Sequence, residues 1–291
     1  MSSVDVESVR AIATKDFRDS IRSWVFWGLS VFFFTLLVTV TGFLAYFGED
    51  IAAQGATTAA LVGYVSEITR LVIPLIALIL GWKAIAGERE SGSIKVLLSL
   101  PHSRTDVILG KLIGRSTVLS VSLLIGFTLA GAIVAAMLGS FDVTDYAGLL
   151  AVSILYGIAY TSIAIAVSSL TRSTTIAGAA VFAVFVLFYI VWDAVVGAVS
   201  LLMALDYLPQ GENTAQAVLF YQSLDPGTAY TSVLSLVTSV AEMDGQTVAM
   251  LETMFDAVPF YLTDWFALVV LLFWIVVPTA VAVYRFDRVD L

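Results

Sequence analysis

Six stretches of the chain stay apolar long enough to fill about 30 Å of hydrocarbon at about 1.5 Å per helical residue. Trp24–Phe47, Gly63–Trp82, Ser116–Leu138, Ala147–Leu170, Ile176–Met203 and Trp265–Tyr284 are each predicted to form a spanning helix. Before the first of them, Val9, Ile12, Phe17, Ile21 and Trp24 recur at helical spacing, with Arg10, Lys15, Arg18 and Arg22 interleaved. Residues 1–23 therefore predict an amphipathic helix lying on a lipid surface, held by its apolar stripe and by basic side chains against anionic headgroups. The first span is too long for a signal peptide and no small-residue cleavage site follows it, so it is expected to stay in the mature chain.

The polar positions between the spans fix an orientation. With the N-terminus inside, the inner segments hold 13 of the 14 Lys and Arg residues, while the outer loops hold acids and no base. By the positive-inside rule this predicts six spans with both termini cytoplasmic. Composition agrees: 59% hydrophobic and 13% charged residues over 291 positions, with a mean hydropathy of +0.97, exclude a soluble globule. With no Cys and one His, His102, the chain offers no disulfide, thiolate or His-cluster metal site, and His102 reads as an exposed loop residue. The net charge of −9 gives no reason to expect a nucleic-acid partner.

The outer acidic loop, 204–264, carries eight carboxylates and no base, and the chain uses ten Arg against four Lys. That suits a surface adapted to concentrated salt; a cation or a basic partner at the outer face is the alternative. Within the loop Asp225-Pro226-Gly227 is a turn or N-cap signal, and Tyr230–Val240 is expected as a short helix that does not span. Met250 and Met254, with Met243 nearby, suit either a soft copper(I) site or an apolar helix face, and the second is preferred.

The inner loop, 83–115, is the longest on its side. Glu88, Arg89 and Glu90 lead into Ser91-Gly92-Ser93, and Ile94, Val96, Leu97, Leu98 and Leu100 then form an apolar stretch ended by Pro101. The pattern predicts a surface-lying element with one polar and one apolar side. Ser103 is placed to cap a helix starting near Arg104 or Thr105, with Asp106 in its first turn and Lys111 and Arg115 further along. Gly87 and Gly92 have the spacing of a phosphate-binding loop, but Ser93 stands where its Lys is needed, so the chain is not expected to bind ATP itself.

Pro74-Leu-Ile-Ala-Leu-Ile-Leu, Ala84-Ile-Ala-Gly-Glu-Arg-Glu-Ser-Gly-Ser, Leu97-Leu-Ser-Leu-Pro101, Ser103-Arg104 and Ile108-Leu-Gly-Lys-Leu112 together resemble the ABC-2 type transporter permeases, nearest to the NosY-type branch. The motif covers about forty residues, and the six-span plan with the Leu224-Asp225-Pro226 turn extends it. Family members usually show an acidic-x-acidic run followed by Gly-Thr, whereas here Arg89 lies between the acids and Ser93 replaces Thr. The resemblance implies a multi-pass permease of the cell membrane with a six-helix domain over 24–291. It makes Glu88, Arg89, Glu90, Ser91, Gly92 and Ser93 a coupling element docking on a separate cytoplasmic ATPase. Two permeases and two ATPases would form the transporter, with ATP and Mg in the ATPase and no cofactor in this chain. The alternative is a membrane scaffold for an outer-face accessory protein, for instance a NosY-like role in maturing a copper enzyme such as nitrous oxide reductase.

Inside the spans, Arg70 lies about 10 Å below the outer edge by helical rise, where a charge needs a partner. Glu67, three residues away, and Asp193 in the same leaflet are the expected acids. Pro74 and Pro278 are expected to kink their spans, for gating or for packing. Gly110, Gly114, Gly126 and Ala130 would let the third span approach a neighbour closely, as in a dimer. An intramembrane enzyme is disfavoured, since Glu67 and Asp193 are the only intramembrane acids and His102 lies outside.

Overall fold

The computed structural model describes residues 4–46, 58–99, 102–138, 142–209, 211–238, 255 and 257–288, and among these residues the fold is helical without strands. The elements are α1 (Val6–Ile21), α2 (Trp24–Tyr46), α3 (Thr58–Gly81), α4 (Ala86–Glu90), α5 (Ser93–Leu98), α6 (Arg104–Leu138) and α7 (Val143–Ser169). After them come α8 (Thr174–Val186), a π turn over Leu187–Val191, α9 (Trp192–Ala204), α10 (Glu212–Ser223), α11 (Pro226–Leu234), a 3-10 turn over Phe260–Leu262 and α12 (Asp264–Asp287). Five helical runs are long and apolar enough to cross a membrane, carried by α3, α6, α7, α8 with α9, and α12. A sixth exists if α1 and α2, bent by 68° from each other, are taken as one path. The helix predicted at the first span is α2.

Helix starts are capped by side chains where the sequence supplies them, because an orphan N–H with no water nearby is costly. Asp5 Oδ1 accepts from Glu7 N (3.1 Å), Asp142 Oδ1 from Thr144 N (2.8 Å) and Asp225 Oδ2 from Thr228 N (2.7 Å). At the start of α6 the cap is reciprocal: Asp106 N donates to Ser103 Oγ (3.0 Å) and Ser103 N to Asp106 Oδ2 (2.9 Å). The expected cap thus forms, and it starts α6 twelve residues before the span predicted from hydropathy. At 35 residues this helix is about 52 Å long, so its first turns extend beyond the bilayer.

The hub is α7, which packs against α3, α6, α11 and α12 and buries Tyr156 and Tyr160 completely. Apolar contact gains little inside lipid, so close approach depends on small residues: Gly157 faces Leu119 of α6, and Gly81 of α3 faces Ala164. Gly110 and Gly114 give the close approach expected of them, to a neighbour within the chain. A Cβ on Gly110 would lie 2.7 Å from Ile12 Cβ, and one on Gly114 would lie 2.9 Å from Asp16 Cβ. The neighbour is α1 of the same chain, and Gly126 similarly faces Phe33 of α2.

This packing also corrects the orientation expected for α1. Its buried face is Ser8, Val9, Ile12, Asp16 and Ser20, turned to α6, whereas Trp24 is exposed. Two flat glycine positions on α6 give the Val9–Ile12 stripe a protein surface to cover instead of lipid. Pro74 and Pro278 both lie inside continuous helices. The short helix expected over Tyr230–Val240 begins earlier, at Pro226, and packs on α7 and α12 with Tyr230 buried. The helix α10 had no expectation.

Candidate functional site

The end of the molecule that gathers α1, α4, α5, the start of α6 and the end of α12 holds most of the basic residues. Here the chain leaves α3, turns at Trp82–Ile85 and enters α4. One hydroxyl from another span holds that corner: Ser168 Oγ donates to Trp82 O (2.7 Å) and accepts from Ile85 N and Ala86 N (both 3.0 Å). The three charges of α4 then each find a partner. Arg89 Nη1 donates to Ser169 O (3.0 Å) and Thr171 O (3.1 Å), a cation at the carbonyl end of α7. Glu90 Oε2 accepts from Thr174 N (2.7 Å), an anion at the amino end of α8. Those bonds with Thr174 hold the exposed Glu90 carboxyl below the usual glutamate range.

Glu88 turns to α6, where its Oε1 accepts from Lys111 Nζ at 2.7 Å. Lys111 is 3% exposed and also lies 3.4 Å from Asp16 Oδ1 of α1, whose Oδ2 is 2.9 Å from Arg115 Nε. Two acids and two bases on three helices thus form one network, buried at Lys111 and Asp16 and part-exposed at Glu88 and Arg115, and the desolvated charges at its centre are tolerable only as a set. Glu88 and Arg89 are accordingly part-buried and bonded within the chain. Gly92 takes the left-handed conformation (φ 76°) that a glycine adopts without strain, and so starts α5 at a new angle. Ile94 and Leu97 are buried beside Ile12, Ile108 and Phe286 in a separate apolar cluster, while Ser91, Ser93, Lys95 and Val96 are exposed. The predicted two-sided element is present, with its exposed side on α5.

Further bonds fasten the helix ends around this corner. Asp5 N donates to Asp106 Oδ1 (3.1 Å), and Ser8 Oγ and His102 Nδ1 are 2.6 Å apart. Arg104 Nη1 donates to Phe286 O (2.8 Å) and Asp287 O (3.1 Å).

At the opposite end Arg70 departs from expectation. Its Nη2 lies 3.5 Å from Asp225 Oδ2, so its ion pair is with the turn residue before α11 and not with Glu67 or Asp193. Glu67 stays within electrostatic reach of Arg70, and Asp193 is exposed. Gly227 permits the contact, because a Cβ there would fall 2.8 Å from Arg70 Nε. Pro74 supplies a second reason for the arrangement: it has no N–H to offer the carbonyl four residues back, and that carbonyl is Arg70 O. Two tyrosine hydroxyls replace it, Tyr156 of α7 (3.0 Å) and Tyr189 in the π turn. Tyr156 in turn stacks on Tyr230 of α11, with centroids 4.6 Å apart. At Pro278 the neighbouring carbonyl, Ile275 O, accepts from Ser162 Oγ at 2.6 Å. Met243, Met250 and Met254 lie outside the described residues.

Residues 10–291 match the family model for ABC-2 family transporter proteins. A relative named probable ABC transporter permease protein NosY, from Pseudomonas aeruginosa, is 28% identical over 228 residues, covering 76% of this chain and 79% of the relative. A protein of the same name from Stutzerimonas stutzeri is 32% identical over 126 residues, covering 43% of this chain and 44% of its own length. The chain belongs to the ABC-2 family of transporters, as a multi-pass protein of the cell membrane.

Proposed function

We propose that this chain is the permease subunit of an ATP-driven transporter, and that a separate ATPase acts on it through α4 and α5. The permease role is the one its two relatives carry in their names. The observation that carries the coupling reading is how α4 is fastened: it continues from α3 and bonds to α6 through Lys111, to α7 through Ser168 and Ser169, and to α8 through Thr174. A displacement of this five-residue helix would be delivered to four spans at once. On this reading the basic end and both termini are cytoplasmic, with ATP and Mg bound by the ATPase. Ser91, Ser93, Lys95 and Val96 (70% exposed) make the contact surface, and Glu88, Arg89 and Glu90 transmit what it receives. A second copy of the chain completes the membrane half. The groove of about 520 Å³ between α3 and α8, lined by Leu75, Ile79, Trp82, Phe182 and Phe185, offers it an apolar surface.

The test is pull-down of the cognate ATPase and its hydrolysis rate in membranes, with Lys95→Glu and Val96→Asp combined. These exposed positions should leave insertion and thermal stability at wild-type values while ATPase capture falls about tenfold or more. Wild-type capture and hydrolysis would remove the coupling assignment and favour a scaffold for an outer-face accessory protein.

A further inference from the structure

We propose that the exposed basic face of α1, with the apolar seam beside it between α1 and α6, is a binding site for one anionic phospholipid. Arg10, Lys15, Arg18 and Arg22 project from the exposed face of α1 together with Glu7 and Asp19, so four cations stand against two acids. Beside this face a groove of about 390 Å³ runs between α1 and α6, lined by apolar groups of Val9, Ala13, Phe17 and Ile113. The two adjoin at Arg10 and Thr14. A small inorganic anion would need only the cationic face, but a phospholipid has a charged head joined to an acyl chain and fits the pair.

The position suits a lipid as well. Trp24 and Trp27 are 87% and 55% exposed at the junction of α1 with α2, where amphipathic rings mark the level of the headgroups. The axis of α1 turns 68° away from α2 there, so the basic face of α1 does not continue the apolar path of α2. The buried face of α1 carries Asp16, bonded to Lys111 and Arg115, so the headgroup site and the α4 corner lie on opposite faces of one helix. The site rests on the placement of this chain in a membrane and is independent of any ATPase.

Full-length protein in mixed micelles with equal phosphatidylglycerol and phosphatidylcholine of matched chains is passed through gel filtration, and the retained lipid is quantified by mass spectrometry. Phosphatidylglycerol should be retained roughly fivefold or more over phosphatidylcholine. Arg10→Gln, Lys15→Gln, Arg18→Gln and Arg22→Gln together should bring that ratio near one, while Arg10→Lys, Arg18→Lys and Arg22→Lys together, with Lys15 kept, should preserve it. Ala13→Phe, which fills the apolar groove, should lower retained phosphatidylglycerol with all four cations in place. Equal retention of the two lipids by the wild-type chain overturns the proposal, and needs no variant to fold. So does displacement of phosphatidylglycerol by inorganic phosphate at equal concentration, which would reduce the site to a simple anion groove, and so does a ratio that survives the Gln substitutions.

Discussion

Lys111 at the basic end is shared by two carboxylates from two other helices, whereas Arg70 within a span meets one carboxylate at 3.5 Å and lends its backbone carbonyl to two tyrosines. Both are cations removed from bulk water, but the supports differ in kind. The basic end has several charges and several helix ends, so its acids and bases each close a gap left by another element. In the span the next helical N–H is missing because of Pro74, and neutral hydroxyls repair the backbone while a single acid, itself an N-cap, balances the charge. The first arrangement joins helices through ions; the second joins them through a defect in one helix.

The largest effect should come from Lys111→Met, which strands Asp16 and Glu88 together; about 3 kcal/mol of stability should be lost, with Arg115 retaining part of the balance. A melting temperature in detergent near the wild-type value would show that the network carries no structural weight. Arg70→Met should cost about 2 kcal/mol by leaving Asp225 unpaired, since the Arg70 side chain is already 31% exposed. Asp225→Asn in the same chain should restore much of that loss and Glu67→Gln little of it. Recovery by Glu67→Gln instead would return the ion pair to the residue that spacing suggested.

Tyr189→Phe should cost about 1 kcal/mol. In a Pro74→Ala background the loss should shrink, because the new N–H competes for Arg70 O; equal losses in both backgrounds would break the link between the proline and the tyrosine. The smallest effect concerns Glu90. Its folded pKa is depressed, so its contribution is present above the ordinary glutamate value and is lost as pH falls through the lower folded value. Glu90→Gln should therefore remove a small acid-side slope from the stability profile. An unchanged profile would mean that the Thr174 cap works as well without charge.

Hydropathy located the spans because about 20 apolar residues in a row have few other uses. The Ser103–Asp106 cap was legible for a similar reason: it acts over three residues. Partners distant in sequence were not legible. Spacing nominated Glu67 for Arg70, since three residues bring two side chains to one helix face, whereas Asp225 is 155 residues away. Its Asp-Pro-Gly context announced a cap, and only the return of α11 toward α3 gives the same carboxylate a second duty. The intrachain partners of the charges beside Ser91-Gly92 were not legible because nothing nearby in sequence reveals that the ends of α7 and α8 receive a cation and an anion at that point. Asp16 escaped notice altogether, hidden among basic neighbours on a helix whose stripe was assigned to lipid.

The Ser168 hydroxyl that holds the corner between α3 and α4 is made long after the groups it serves, for Ile85 precedes it by 83 residues. At about 5 to 20 residues per second, roughly 4 to 17 seconds of translation separate the two. During that interval the nascent corner has its own backbone bonds, Ala84 N to Gly81 O and Gly87 N to Lys83 O (both 3.0 Å), but has not yet received its side-chain fastening. The N-terminal spans can enter the bilayer in order, while the hydroxyl that closes the bend after α3 comes from its C-terminal side. The molecule is threaded forward and locked backward.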